Sequence, residues 1–217
     1  MRVETKSAPH SPAELLGDAH PLLDQLGSPD DLAVTSTLTN AMEFSRVHDL
    51  ASLRAFLDTY SAQVLQPIEL PAIVAAHQHA SRGEARELVA LDQSLAQESI
   101  IRDFAAASCR VGQRQLSKLR PLRDQRVVQR YLAAIESGEA RGWHTLVYGV
   151  SLAMFSVPLR QGLQNYIEQT ARGFIERAVR SLHLPQTVGD ELAAQRFIAA
   201  PKVITQALAA TSTLQIH

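Results

Sequence analysis

The stretch from Pro158 to Leu182 limits what this chain can become more than any other part of it. Leu159, Leu163, Tyr166, Thr170, Phe174, Ala178 and Leu182 recur every three or four residues, and Gly162, Ile167, Ile175 and Val179 widen the stripe. This is the period of a helix, and a stripe so wide needs neighbours on more than one side. A helix covered from several directions has to lie inside a bundle of other helices. No alternating run in the chain is long enough to support a strand, and no fixed-period repeat or low-complexity segment interrupts the pattern. The fold expected is all-α: a single-domain helical bundle of about eight to ten helices.

The rest of the chain divides on prolines and glycines. Leu50, Leu53, Phe56, Leu57, Tyr60 and Val64 share one helical face, and Pro67 is expected to break that run. Further helices are expected over about 69–81 (ending near Gly83), 84–97 and 98–118. Pro121 is expected in the first turn of a helix that reaches Glu136, with Gly138 just past its end. An apolar helix comes next over 143–156, then the helix from Pro158, which Pro185 stops. The last two are expected over 187–199 and, after Pro201, to about 210. Residues 1–35, punctuated by Pro9, Pro12, Pro21 and Pro29, are expected to form a mobile extension, 36–210 the helical domain and 211–217 a tail.

Composition decides what chemistry is open. Cys109 is the only cysteine, so an intrachain disulfide and a thiolate cluster within one chain are both excluded; its expected role is that of a small buried hydrophobe. No secretory signal or run of about 20 apolar residues is present, which leads to the expectation of a cytoplasmic protein that does not cross a membrane. Net charge is −1, so the chain as a whole attracts neither nucleic acid nor an acidic membrane.

Signatures of catalysis are missing: there is no glycine-rich phosphate loop, Gly-x-Ser-x-Gly or His-Glu-x-x-His. No catalytic residue and no metal ligand is assigned. His77 and His79 are two apart on a helix and point about 200° from each other, unlike ligand pairs three or four apart. His48, His144 and His183 read as isolated surface histidines, and Glu84, Glu87, Glu98 and Asp103 as solvated helix faces. One local feature stands apart. Between Arg102 and Arg130 lie eight Lys or Arg against two Asp, and Arg110, Arg114 and Lys118 fall in one row along a helix. The row is open to three readings: a solvated face, a surface for a protein partner, or a regulator's contact with nucleic acid. Ser108 and Gly112 also carry the small-x-x-x-Gly spacing of a helix-turn-helix elbow, although such a glycine usually precedes apolar and capping residues, and here Gln113 and Arg114 take those places.

Residues 144–195 carry a family resemblance. Tyr148–Gly149 opens an apolar helix, Tyr166 sits in the long helix, Ala178–Val179–Arg180 comes after it, and Gln186 and Gly189 form a Gln-x-x-Gly turn. This order resembles the UreF family of urease accessory proteins. Upstream, Ala107–Ser108 with Gly112 is similar to that family's Ala-Ser-x-x-x-Gly helix, and AMEFSRVHDLASLRAFL (41–57) to its first helix, with Glu43 matching a characteristic glutamate. Together the matches span about residues 41–200. The chain departs from the family in three places: DDLAVTSTLTN stands where a glycine-rich segment with a histidine is usual, Ala105 where an arginine is usual, and the sequence stops at LQIH where an Arg-Leu-Phe-like tail is usual.

The resemblance implies a non-catalytic chaperone-like scaffold in a nickel-insertion complex, an all-helical homodimer. It implies that UreD (also called UreH), the GTPase UreG and urease are the partners, and that nickel is handled by the complex with no cofactor held tightly here. Partner contacts are expected at Tyr148, Tyr166, Arg180 and the Gln186–Gly189 turn, with the basic row Arg110, Arg114 and Lys118 as a further candidate. Tyrosine suits an interface through its area and hydroxyl, but Tyr166 in the core is an equal reading. Gly149 is expected to permit close helix approach.

Overall fold

The computed structural model describes residues 44–214. A short 3-10 turn, Phe44–Arg46, leads into α1 (Leu50–Tyr60). Asp49 caps α1 reciprocally: its Oδ1 accepts from the Ser52 amide at 2.7 Å, while Ser52 Oγ accepts from the Asp49 amide at 3.0 Å. The chain then runs on through a π-helical segment, Ser61–Glu69, into α2 (Leu70–Arg82). After it come α3 (Ala85–Leu95), a 3-10 turn (Ser99–Phe104), α4 (Ala105–Lys118), α5 (Arg126–Glu136), α6 (His144–Met154), α7 (Leu159–Leu182) and α8 (Gln186–Leu214). Among the described residues there is no strand, so the all-α class holds. No helix there is long and apolar enough to cross a membrane.

Two prolines that should end helices do not, and they account for the helix number. With α1, the π segment and α2 counted as one continuous rod, the described residues form seven rods, slightly below the eight to ten expected. Pro67 has no N–H and its ring crowds the carbonyl one turn back, so the chain widens locally to bonds five residues apart, as from the Leu70 amide to Leu65 O. Pro201 lies on the exposed side of α8, where a carbonyl lacking its helical donor can be hydrated. Pro121 does not open the next helix either. It lies in a turn held by the Leu122 amide on Leu119 O (2.9 Å) and the Gln125 amide on Leu122 O (3.1 Å). Gln129 Nε2 then donates to the carbonyls of Arg120 and Leu122, and α5 begins only at Arg126.

Other boundaries reflect local chemistry. Gly83 ends α2 at φ +73° and His183 ends α7 at φ +54°, both left-handed. The boundary given to about residue 199 and then 210 is replaced by one helix that runs to Leu214. The expected extension 1–35, Glu43 and the segment 30–40 lie outside the described residues.

α6 occupies the centre, with α2 and α4 packed along it and α8 laid over α7. Every residue of α6 from His144 to Leu152 is buried. Gly149 makes this possible: a Cβ there would stand 2.5 Å from the carbonyl oxygen of Ile73, so only glycine lets α6 and α2 approach so closely. At one end, Phe44, Phe56, Tyr60 and Phe174 stack their rings edge to face, with centroids 4.8 Å (Phe44–Phe56) and 5.0 Å (Phe56–Phe174, Tyr60–Phe174) apart. Each such pair adds about 0.5–1.5 kcal/mol beyond simple burial. Beneath them the Tyr60 hydroxyl donates to the buried Glu69 carboxylate at the end of the π segment.

Candidate functional site

The residues singled out by sequence separate into a buried set and an exposed set. Tyr148, Tyr166 and Gly189 are buried, whereas Arg110, Arg114, Lys118, Arg180 and Gln186 are exposed.

The buried set forms a polar layer around the start of α6. The rings of His144, Tyr148 and Tyr166 meet there, with Tyr148 and Tyr166 centroids 5.2 Å apart and the His144 ring stacked on Tyr166 at 6.1 Å. The Tyr148 hydroxyl donates to Gly162 O at 2.9 Å and accepts from Asn165 Nδ2 at 3.2 Å. Burial pushes that phenol well above its ordinary range, so it stays neutral. Tyr148 and Tyr166 are therefore groups of the core that fix α6 against α7, and neither offers surface to a partner in this chain. His144, expected at the surface, is fully buried: its Nδ1 lies 3.1 Å from Gln115 Oε1 and its amide donates to Ser108 Oγ at 3.2 Å. The correction has a plain cause, because Ser108 and Gln115 reach it from α4, far along the chain.

α4 is pressed onto this layer by Gly112. A Cβ there would lie 2.1 Å from Gly142 O and 2.8 Å from the His144 amide nitrogen. Ser108 and Gly112 thus lie within a continuous helix packed backbone to backbone, and the elbow reading of that spacing fails. The opposite face of the same helix carries Arg110, Arg114 and Lys118, all exposed.

A second buried device holds the segment that α4 packs on. Asp92, buried on α3, accepts from Tyr131 Oη at 2.6 Å, the Arg141 amide at 2.7 Å and the Gly142 amide at 2.8 Å. Trp143 Nε1 donates to the Asp92 carbonyl at 3.2 Å. Nothing in the sequence signals this latch, since a lone aspartate in a helical run reads as solvated. Burial, and then the Asp92 charge, push the Tyr131 phenol well up. The same two causes raise the half-buried Cys109 thiol to about 11, so at neutral pH it is a thiol and a poor nucleophile.

The remaining exposed residues lie where α7 turns into α8. Arg180 is on the last turn of α7, and Gln186 Nε2 donates to Asp190 Oδ1 at 3.2 Å. Gly189 seats α8 on α7, since a Cβ there would be 3.0 Å from Val179 Cγ2. Asp190 also lines a groove of about 320 Å³ between the two helices, with Glu168, Arg172 and Phe197. Elsewhere, His79 Nδ1 lies 2.8 Å from Glu84 Oε2, so Glu84 is engaged and not simply solvated. Burial lowers the pKa of half-buried His77. Among the described residues no three His, Cys, Asp or Glu come together as metal ligands.

This division into a fixed interior and two exposed faces can be set against known proteins. The chain is 28% identical to the urease accessory protein UreF of Paenarthrobacter aurescens (strain TC1) over 105 residues, 48% of this chain and 47% of that protein. It is 27% identical to the urease accessory protein UreF of Arthrobacter sp. (strain FB24) over 151 residues, 70% of this chain and 64% of that protein. The matches thus span about half to just under two thirds of those relatives' own length. The sequence profile of the UreF family matches residues 47–196, from just before α1 to the first part of α8, and so takes in the polar layer, the latch and both exposed faces: the chain belongs to the UreF family.

Proposed function

We propose that this chain is a urease accessory scaffold in the cytoplasm. It binds UreD (UreH), recruits the GTPase UreG and regulates it, so that nickel passes to urease while this chain performs no chemistry of its own. Nickel is cargo of the assembled complex, and a homodimer is the working unit. The observation that carries this reading is the family match over residues 47–196, which takes in every helix from α1 to α7 and the start of α8. The arrangement of side chains supports it. Polar groups of the interior are spent on fixing helices, as with Asp92 and Tyr148, while Arg180 and Gln186 stand exposed on helices that Gly189 locks together.

The test is co-purification of the chain with UreD and UreG of its own source organism, with and without GTP and nickel. A stable complex containing UreD, with UreG joining it, is expected. Failure to retain either protein under any of those conditions would overturn the proposal.

A further inference from the structure

The basic row on α4 is a concentrated charged feature among the described residues, and the accessory-scaffold reading does not by itself assign it. Residues 102–130, which contain this row and run on into α5, hold eight Lys or Arg against two Asp, a surplus of six positive charges. Residues 44–217 hold 19 Lys or Arg against 15 Asp or Glu, so the surplus over 102–130 is larger than that of the whole stretch. A concentrated basic face orients an approaching acidic surface.

The row is mounted rigidly. Gly112 rests backbone to backbone on the 142–144 segment, Ser108 and Gln115 bond His144 from the same inner face, and Gln113 Nε2 donates to Arg141 O at 2.7 Å. Arg110, Arg114 and Lys118 then lie four residues apart on the outer face, a rise of about 6 Å per step. Carboxylates on a facing helix at the same four-residue spacing would match that step, and guanidinium groups take carboxylates in bidentate fashion.

Nucleic acid fits less well. Tyr131 is buried, so no aromatic side chain is exposed among residues 105–142 to stack on a base. Acidic groups are also interleaved along the chain: Glu136 already holds Arg120 at 2.6 Å, and Asp124 and Glu139 are exposed.

We infer that the outer face of α4, through Arg110, Arg114 and Lys118, is a docking surface for an acidic protein surface, with carboxylates at helical spacing the chemistry it recognises. The inference rests on the accessory-scaffold reading for its physiological partner, and the experiment separates the two. The full chain and its Arg110→Glu/Arg114→Glu/Lys118→Glu variant are compared for capture of UreD and UreG, for binding to immobilised poly-L-glutamate, and for binding to duplex DNA. Helicity and melting temperature are measured in parallel, with a milder Arg110→Gln/Arg114→Gln/Lys118→Gln variant in case charge reversal disturbs folding.

The wild-type chain is expected to bind poly-L-glutamate in a salt-sensitive way, and both variants to lose that binding and at least tenfold of partner capture while their melting is unchanged. Capture lost with melting intact supports the inference. Partner capture unchanged in both variants overturns it and leaves the scaffold reading standing. Wild-type binding to duplex DNA at least as tight as to poly-L-glutamate overturns the acidic-protein occupant. If wild type captures neither accessory protein, the scaffold reading fails, and poly-L-glutamate binding that the variants lose would support this docking chemistry alone.

Discussion

α6 and α8 show two ways in which one bundle uses a helix. α6 is short and buried from His144 to Leu152, and its His144 and Tyr148 side chains face partners from α4 and α7. α8 runs for 29 residues, and between Gly189 and Ala207 it touches the body through few buried positions, among them Leu192, Ala200, Ile204 and Ala207. Ile198 on α8 is 78% exposed, more than any other large apolar side chain among the described residues. The contrast teaches that identity around α6 is dictated by fit, while identity on α8 and on the outer face of α4 is left open for contact. Substitutions near α6 should cost stability, and those on the exposed faces should cost binding alone.

The sharpest way to break that contrast is at Asp92, whose carboxylate serves the segment leading into α6. Asp92→Ala leaves Tyr131 Oη and two backbone amides without their acceptor, so a loss of about 3–5 kcal/mol is expected in denaturant unfolding. Next is Gly112→Ala. Alanine gains about 1 kcal/mol of helix propensity, but its methyl would need the room now held by a backbone oxygen 2.1 Å away. Overpacking of this kind costs about 1–3 kcal/mol or more, so net destabilisation is expected, and a stabilised variant would show the contact to be soft. Tyr148→Phe removes one donor from Gly162 O and one acceptor from Asn165, for an expected loss of about 1 kcal/mol. Ile198→Ser on α8 should leave thermal unfolding within about 0.5 kcal/mol of the parent.

A pH titration sharpens the same comparison from inside. The Cys109 thiol is raised from 9.0 to about 11 in the folded chain. The unfolded chain gives up that proton first, so the contribution is complete below pH 9 and is lost as pH rises from 9 to about 11. Cys109→Ala should flatten the fall in stability across that window, as monitored by chemical unfolding at successive pH values. An unaltered fall would assign it to other groups.

What could be read from the sequence was whatever depends on neighbours close along the chain. The stripe from Leu159 to Leu182 fixed α7 correctly because its period is local, and Gly83 closed α2 because only a left-handed residue suits that position. Gly149 was likewise legible, since a glycine inside an apolar helix points to close packing. Pro67 and Pro201 misled because the rule for a missing N–H ignores what surrounding packing can hold together. Tyr166 was undecidable between core and interface, since a tyrosine on a wide stripe suits both. His144 and Asp92 were invisible as buried groups for one reason: Gln115 is 29 residues from His144, and Tyr131 is 39 from Asp92. Arg110, Arg114 and Lys118 were legible as an exposed row because helical spacing alone puts them together.

The central claim, that this chain serves the loading of urease with nickel, is tested most directly on urease itself. Urease would be purified from cells of the source organism with the chain present, deleted, and restored, and its nickel content and activity measured. The account predicts nickel-poor, inactive urease without the chain and recovery when it is restored. Urease fully loaded and active in its absence would contradict it.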